Sequence, residues 1–169
     1  MKSLLLLRHA EAHDKPLGGS DIERTLTDEG LHQASIQGNF LRNAGIAVDR
    51  IVASSAKRAG QTAGAFMEAG GLSLDVQSED ALYNAPGDAL LVFLRGLPEE
   101  VSHVLLVAHL PGVAELVSLL TTEHVDLDQV FGPATLAGVM VDGNSWQDFD
   151  YGTGMLTLFL PPLLRLNEG

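Results

Sequence analysis

The sequence predicts an α/β fold, a three-layer α/β/α sandwich around a mostly parallel central sheet. Two observations predict it. The apolar runs "SLLLL" (3–7), "RIVAS" (50–54) and "HVLLVAH" (103–109) lack polar alternation, as strands buried on both faces do. Segments of helical spacing separate them, and a strand–helix–strand order implies parallel neighbours with helices on both faces.

The elements follow in order. The first run stops at Arg8 and a polar, glycine-bearing loop follows, "DKPLGGSDIER" (14–24). Thr27 then caps a helix with Asp28 and Glu29 in its first turn. Leu31, Ala34, Gly38 and Leu41 recur on one helical face, and Gly45 ends that helix. After the strand Arg50–Ser54, a helix over Lys57–Gly71 closes on paired glycines. "DVQS" (75–78) is a short strand, and Gly87–Pro98 is a helix striped by Leu90, Leu91, Leu94 and Leu97. The strand His103–His109 leads to a helix over Gly112–Thr122. Two late strands, 134–143 and 154–162, form a hairpin-like pair.

Composition bounds the function. A chain of 169 residues suits one domain spanning 1–169, and no linker, repeat or low-complexity stretch divides it. Hydrophobic residues make up 46% and aromatics 5%, so the core is built of Leu, Val and Ala. The net charge of −12, from 22 acidic and 10 basic residues, repels nucleic acid and anionic membranes, and neither is an expected partner. Any arginine cluster is then a local exception. The absence of cysteine excludes disulfides and thiolate metal sites. The opening apolar run is too short for a signal peptide, and no stretch approaches the roughly 20 apolar residues of a membrane span. A cytoplasmic protein is expected.

In open α/β sheets, ligands bind beyond the carboxyl ends of the strands. Two buried strands here deliver histidines, His9 and His109, and a third leads through Ser54 and Ser55 to Arg58. Arg8, His9, Arg58 and His109 therefore converge without being near in sequence. Two guanidiniums match the oxygens of a phosphate. One imidazole can attack phosphorus, and the other can hold a proton and stabilise the transferring group. Arg58 lies near a helix N-terminus, against the dipole, a local cost that favours a functional role.

These segments resemble the histidine phosphatase superfamily. "LLLLRHAEA" matches its Arg-His-Gly/Ala signature, with Ala10 in place of the commoner glycine. "RTLTDEGLHQA" resembles the Arg-x-Leu-Thr-x-x-Gly segment and supplies Arg24; "VASSAKRAGQTA" resembles the Ser-x-x-x-Arg-x-x-Gln-Thr segment, with Ser55 where proline is usual. "LLVAHLPGVAELV" resembles the second-histidine segment, with Leu110 where many members have asparagine, and "LYNAPGDALLVFL" also fits. The short chain and "HLP" are similar to the SixA-type phosphohistidine phosphatases. The resemblance implies a phosphoglycerate mutase-like fold with little or no cap, since only about 50 residues separate Arg58 from His109. It implies His9 as a nucleophile that carries phosphate, with Arg8, Arg58 and His109 on the phosphoryl oxygens. Arg24 is a peripheral substrate contact, and no metal or organic cofactor is required.

Other residues have plainer readings. "HAEAH" (9–13) follows a strand and lacks the adjacent glutamate of a zinc protease, so no metal is expected. His13, His32, His103 and His124 read as surface or packing residues. Ser54 either touches phosphate or caps the next helix. Glu79 and Asp80 are the candidate general acids, because many superfamily members use a carboxylic acid after the third strand; each is otherwise a solvated carboxylate. The first reading is a phosphatase of phosphohistidine on a protein. The alternatives are a phosphatase of a small phosphomonoester by the same mechanism, or a non-catalytic phosphoprotein-binding module.

Overall fold

The computed structural model describes residues 1–122 and 127–163; His124 lies outside them. The chain alternates β1 (Lys2–Arg8), α1 (Asp28–Ala44), β2 (Arg50–Ser54), α2 (Lys57–Ala69), β3 (Val76–Glu79), α3 (Gly87–Arg95), β4 (His103–Ala108) and α4 (Gly112–Leu120). A short α5 (Leu127–Val130) precedes β5 (Leu136–Val141) and β6 (Gly154–Leu160). The six strands lie in the order β3-β2-β4-β1-β5-β6. β1, β2, β3 and β4 run parallel, whereas β5 is antiparallel to both β1 and β6. The expected mostly parallel sheet and terminal hairpin are both present.

The leucine run of β1 is buried on both faces, as its lack of alternation required. Leu4 and Leu6 join the layer built from α3 and α4, while Leu5 and Leu7 join the layer of α1 and α2. Helices therefore cover both faces, giving the three layers. Between Arg58 and His109 the chain completes α2 and forms β3, a single 3₁₀ turn (Asp80–Leu82), α3 and β4. Nothing is inserted there to cap the carboxyl edge.

Thr27 caps α1 by accepting from the Gly30 amide, and Gly45 ends it at φ 66°. Leu31 departs from expectation, since it is 41% exposed. Gln33 and Gln37 occupy the inward face alongside Ala34, Gly38 and Leu41. Each glutamine satisfies backbone groups that apolar side chains would leave unpaired. Gln33 accepts from the Glu11 amide at 3.0 Å, and Gln37 donates to the carbonyls of Ala134 (2.8 Å) and Leu160 (2.9 Å). β3 begins one residue later than expected, at Val76, which puts Glu79 at the strand end. α3 stops at Arg95, with Leu97 buried just beyond it.

α1 and α2 meet closely at Gly38, where an added Cβ would stand 2.2 Å from the Phe66 carbonyl oxygen. Gly38→Ala is expected to destabilise the protein by about 1–3 kcal/mol, the usual cost of overpacking a rigid contact. Urea unfolding checks this; an unchanged midpoint would mean that the two helices part freely.

Candidate active site

Sheet register brings the two histidines together. β1 and β4 are adjacent and parallel, with Arg8 opposite Ala108. The next residue on each strand is His9 and His109, and the ladder continues through His9 N–H to the Ala108 carbonyl at 3.0 Å. Their ring centroids are 5.2 Å apart, close to the roughly 4.8 Å between neighbouring strands.

Each imidazole is held in one tautomer. His9 Nδ1 lies 2.8 Å from the Ala10 carbonyl, which can only accept, so Nδ1 carries the proton and Nε2 keeps its lone pair. The Ala10 amide is anchored in turn on Thr62 Oγ1 at 3.0 Å. At His109, Arg58 Nη2 can only donate to Nδ1 at 3.4 Å, so Nε2–H donates to Ser54 Oγ at 2.7 Å. Ser54 also accepts from the Ala56 amide at 3.3 Å. Ser54 does not cap α2, whose N-cap is Ala56 with no side-chain cap bond; it braces His109 instead.

Burial first, and then the positive arginines, hold the His9 imidazolium disfavoured, with its pKa lowered to about 4 despite the opposing Ala10 bond. His109 is lowered to about 3 by burial, by His9 and by Arg58, against the opposing pull of Asp21. Both rings are neutral at neutral pH.

The arginines share a design. Arg8 Nη1 donates to the Phe131 carbonyl at 2.9 Å, and Arg58 Nη1 donates to the Asp21 carbonyl at 2.7 Å. In both, Nε is buried without a partner. Nε and Nη2 form one edge of a guanidinium; Arg8 is tethered at Nη1 alone and keeps that edge in hand, whereas Arg58 is held at both terminal nitrogens, Nη2 bonding Asp21 (3.0 Å) and His109 (3.4 Å), and keeps Nε. Buried unpaired donors are costly unless an anion is meant to meet them. This geometry can hold an oxyanion beside a free imidazole nitrogen.

Arg24 reaches the cluster indirectly. It donates to the His13 carbonyl at 2.8 Å and pairs with Asp21 at 3.3 Å. Neither candidate acid hydrogen-bonds to the histidines or arginines among the described residues. Glu79 accepts from Gln77 at 2.5 Å on its own strand, and Asp80 is exposed. The segment 9–13 is not helical, so His9 and His13 share no helical face, and His13 is exposed.

Two residues that sequence reasoning missed sit in the cluster. Asp21 pairs with Arg58 at 3.0 Å. Tyr83 donates to Asp21 at 2.5 Å and turns its ring edge-on to His109, with centroids 5.6 Å apart. Tyr83 lies in "QSEDALYNAP", the segment searched for a carboxylic acid, and Asp21 lies three residues before Arg24. Those positions were the available signals.

The family model of the histidine phosphatase superfamily (branch 1) matches residues 4–85. A phosphohistidine phosphatase SixA homolog of Haemophilus influenzae is 32% identical over 151 residues, covering 84% of this chain and 90% of that one. The chain belongs to the histidine phosphatase superfamily. The phosphohistidine phosphatase SixA of Escherichia coli is 31% identical over 154 residues, covering 85% of this chain and 91% of its own. A solved structure of a SixA protein from Nakamurella multipartitia superposes with a TM-score of 0.82 at 30% identity, covering 96% and 97% of the two chains. As a histidine phosphatase, the protein is a hydrolase of phosphorylated substrates. No helix among the described residues is long and apolar enough to cross a membrane.

Proposed function

We propose that this protein is a protein phosphohistidine phosphatase in which His9 carries the phosphoryl group. The observation that supports this most directly is the His9 ring. With Nδ1–H bound to the Ala10 carbonyl, the Nε2 lone pair is free, and Arg58 and Arg8 are close enough for their charges to act on the ring. In the reaction, Nε2 forms a bond to phosphorus while the bond from phosphorus to the substrate nitrogen breaks. Arg8 and Arg58 hold the oxygens, and neutral His109 lines the site, its Nε2–H on Ser54 and its Nδ1 accepting from Arg58. Water then attacks phosphorus, phosphate leaves, and neutral His9 is restored.

The leaving group supports the choice of substrate. A phosphorylated imidazole protonated on its second nitrogen departs as neutral imidazole and needs no proton from the enzyme. An alkoxide needs a donor in the transition state. The carboxyl group that touches this cluster, Asp21, cannot supply one. The Tyr83 hydroxyl, together with Arg58 and Arg24, holds its pKa at about 2, so it is ionised. Among the described residues no capping segment is inserted between Arg58 and His109, and an open site accepts a side chain projecting from a protein surface.

The test is a panel of a phosphohistidine protein, a phosphoserine peptide, a sugar phosphate and a phosphoglycerate. The phosphohistidine protein should give the highest kcat/KM. Glu79→Gln and Asp80→Asn, whose carboxylates bond to no histidine or arginine of the cluster, should leave phosphohistidine cleavage unchanged. Preference for a small phosphomonoester, with equal losses on both substrates, would overturn this reading. The pH profile offers a second check. Because His9 must be neutral and its pKa is about 4, kcat/KM should hold as pH falls through 6.5 and decline only near pH 4, once substrate ionisation is allowed for. Half-loss at the ordinary histidine value would place the required lone pair on another group.

A further inference from the structure

Asp21 gathers more of this site than any other carboxylate among the described residues. Its side chain accepts from Tyr83 Oη, from Arg58 Nη2 at 3.0 Å and from Arg24 Nη1 at 3.3 Å. Its carbonyl accepts from Arg58 Nη1 at 2.7 Å. These contacts tie the loop after β1 to the first turn of α2 and to the turn after β3. They also account for an arginine tolerated against the dipole of α2, since Asp21 supplies the negative charge that the helix terminus lacks.

Both of Arg58's terminal nitrogens are engaged by one residue, so rotation of the guanidinium is blocked. Its Nε–Nη2 edge is left towards His109, with Nη2 3.4 Å from Nδ1. We propose that Asp21 is a positioning residue of the phosphoryl site: it fixes the Arg58 guanidinium, and Tyr83 fixes Asp21 from the other side. Asp21 touches neither histidine by a hydrogen bond, so it acts through Arg58. The inference rests on the phosphatase reading only in its kinetic arm.

The test compares wild type with Asp21→Asn, Asp21→Ala and Tyr83→Phe. Side-chain NMR of the arginines reports position without any substrate. Wild-type Arg58 should show separate Nη signals, which broaden together in Asp21→Ala. Turnover is measured on whichever member of the substrate panel is best, so a failure of the phosphohistidine assignment leaves this arm intact. Asp21→Asn and Asp21→Ala should lower kcat by about 10- to 100-fold, the range for misplacing a group that binds the transition state. KM should move by less than about threefold, because a loosened fork weakens ground-state binding while removing a nearby negative charge strengthens it. Tyr83→Phe leaves both arginine contacts in place and should cost only about fivefold, the worth of one ordinary hydrogen bond. The proposal stands only if the NMR change and the kcat loss occur together. Unchanged Arg58 signals, kcat within twofold of wild type, or a larger loss in Tyr83→Phe than in Asp21→Asn would each overturn it.

Discussion

His9→Ala is expected to reduce turnover by about 10⁴-fold or more and to abolish a covalent phosphoryl-enzyme. Quenching the wild type during turnover with labelled substrate should trap phosphate that is labile to acid and stable to base, as a bond from phosphorus to nitrogen is. The basis is local. His9 Nε2 is the ring nitrogen left with a free lone pair, because Ala10 holds the proton on Nδ1 and Ser54 and Arg58 occupy both nitrogens of His109. A phosphate trapped on a serine, or near-normal turnover in His9→Ala, would overturn the mechanism.

Arg58→Ala is expected to lower kcat by about 10²- to 10³-fold, the cost of removing one preorganised donor group from a developing oxyanion. Arg8→Ala should act similarly, since it offers the same unpartnered Nε. The informative companion is Arg58→Lys. A lysine keeps the charge but loses the planar fork and cannot bond Asp21 at two points while presenting a second edge. It should therefore recover little of the lost rate. Steady-state kinetics decide this; full recovery in Arg58→Lys would mean that charge alone matters and that the tethered edge is incidental.

Much of the fold was legible because β1, β2 and β4 are central strands, and a strand buried on both faces announces itself by unbroken apolarity. The same feature made His9 and His109 stand out, since a polar residue ending such a run must lie at the sheet's edge. Leu31 was misread because apolar periodicity cannot see an inward glutamine that serves another segment's backbone, as Gln33 and Gln37 do. Asp21 and Tyr83 escaped for a different reason. Tyr83 lies 62 residues from Asp21, and Arg58 lies 37 residues from it, in segments with no shared periodicity. Only tertiary packing brings them together.

The register of β1 against β4 has a further consequence. The separation of the two imidazoles follows from neighbouring strands in a hydrogen-bonded ladder, so no loop sets it. Loops at the carboxyl edge can then lengthen, shorten or change composition without altering the distance between the two rings. Chemistry and selectivity are separable in such a scaffold: the ladder conserves the reaction, and the surrounding segments are free to diverge towards new substrates. For engineering, the loop from His13 to Thr25 and the turn after β3 are the natural places to retune recognition, provided the Asp21 contacts are kept.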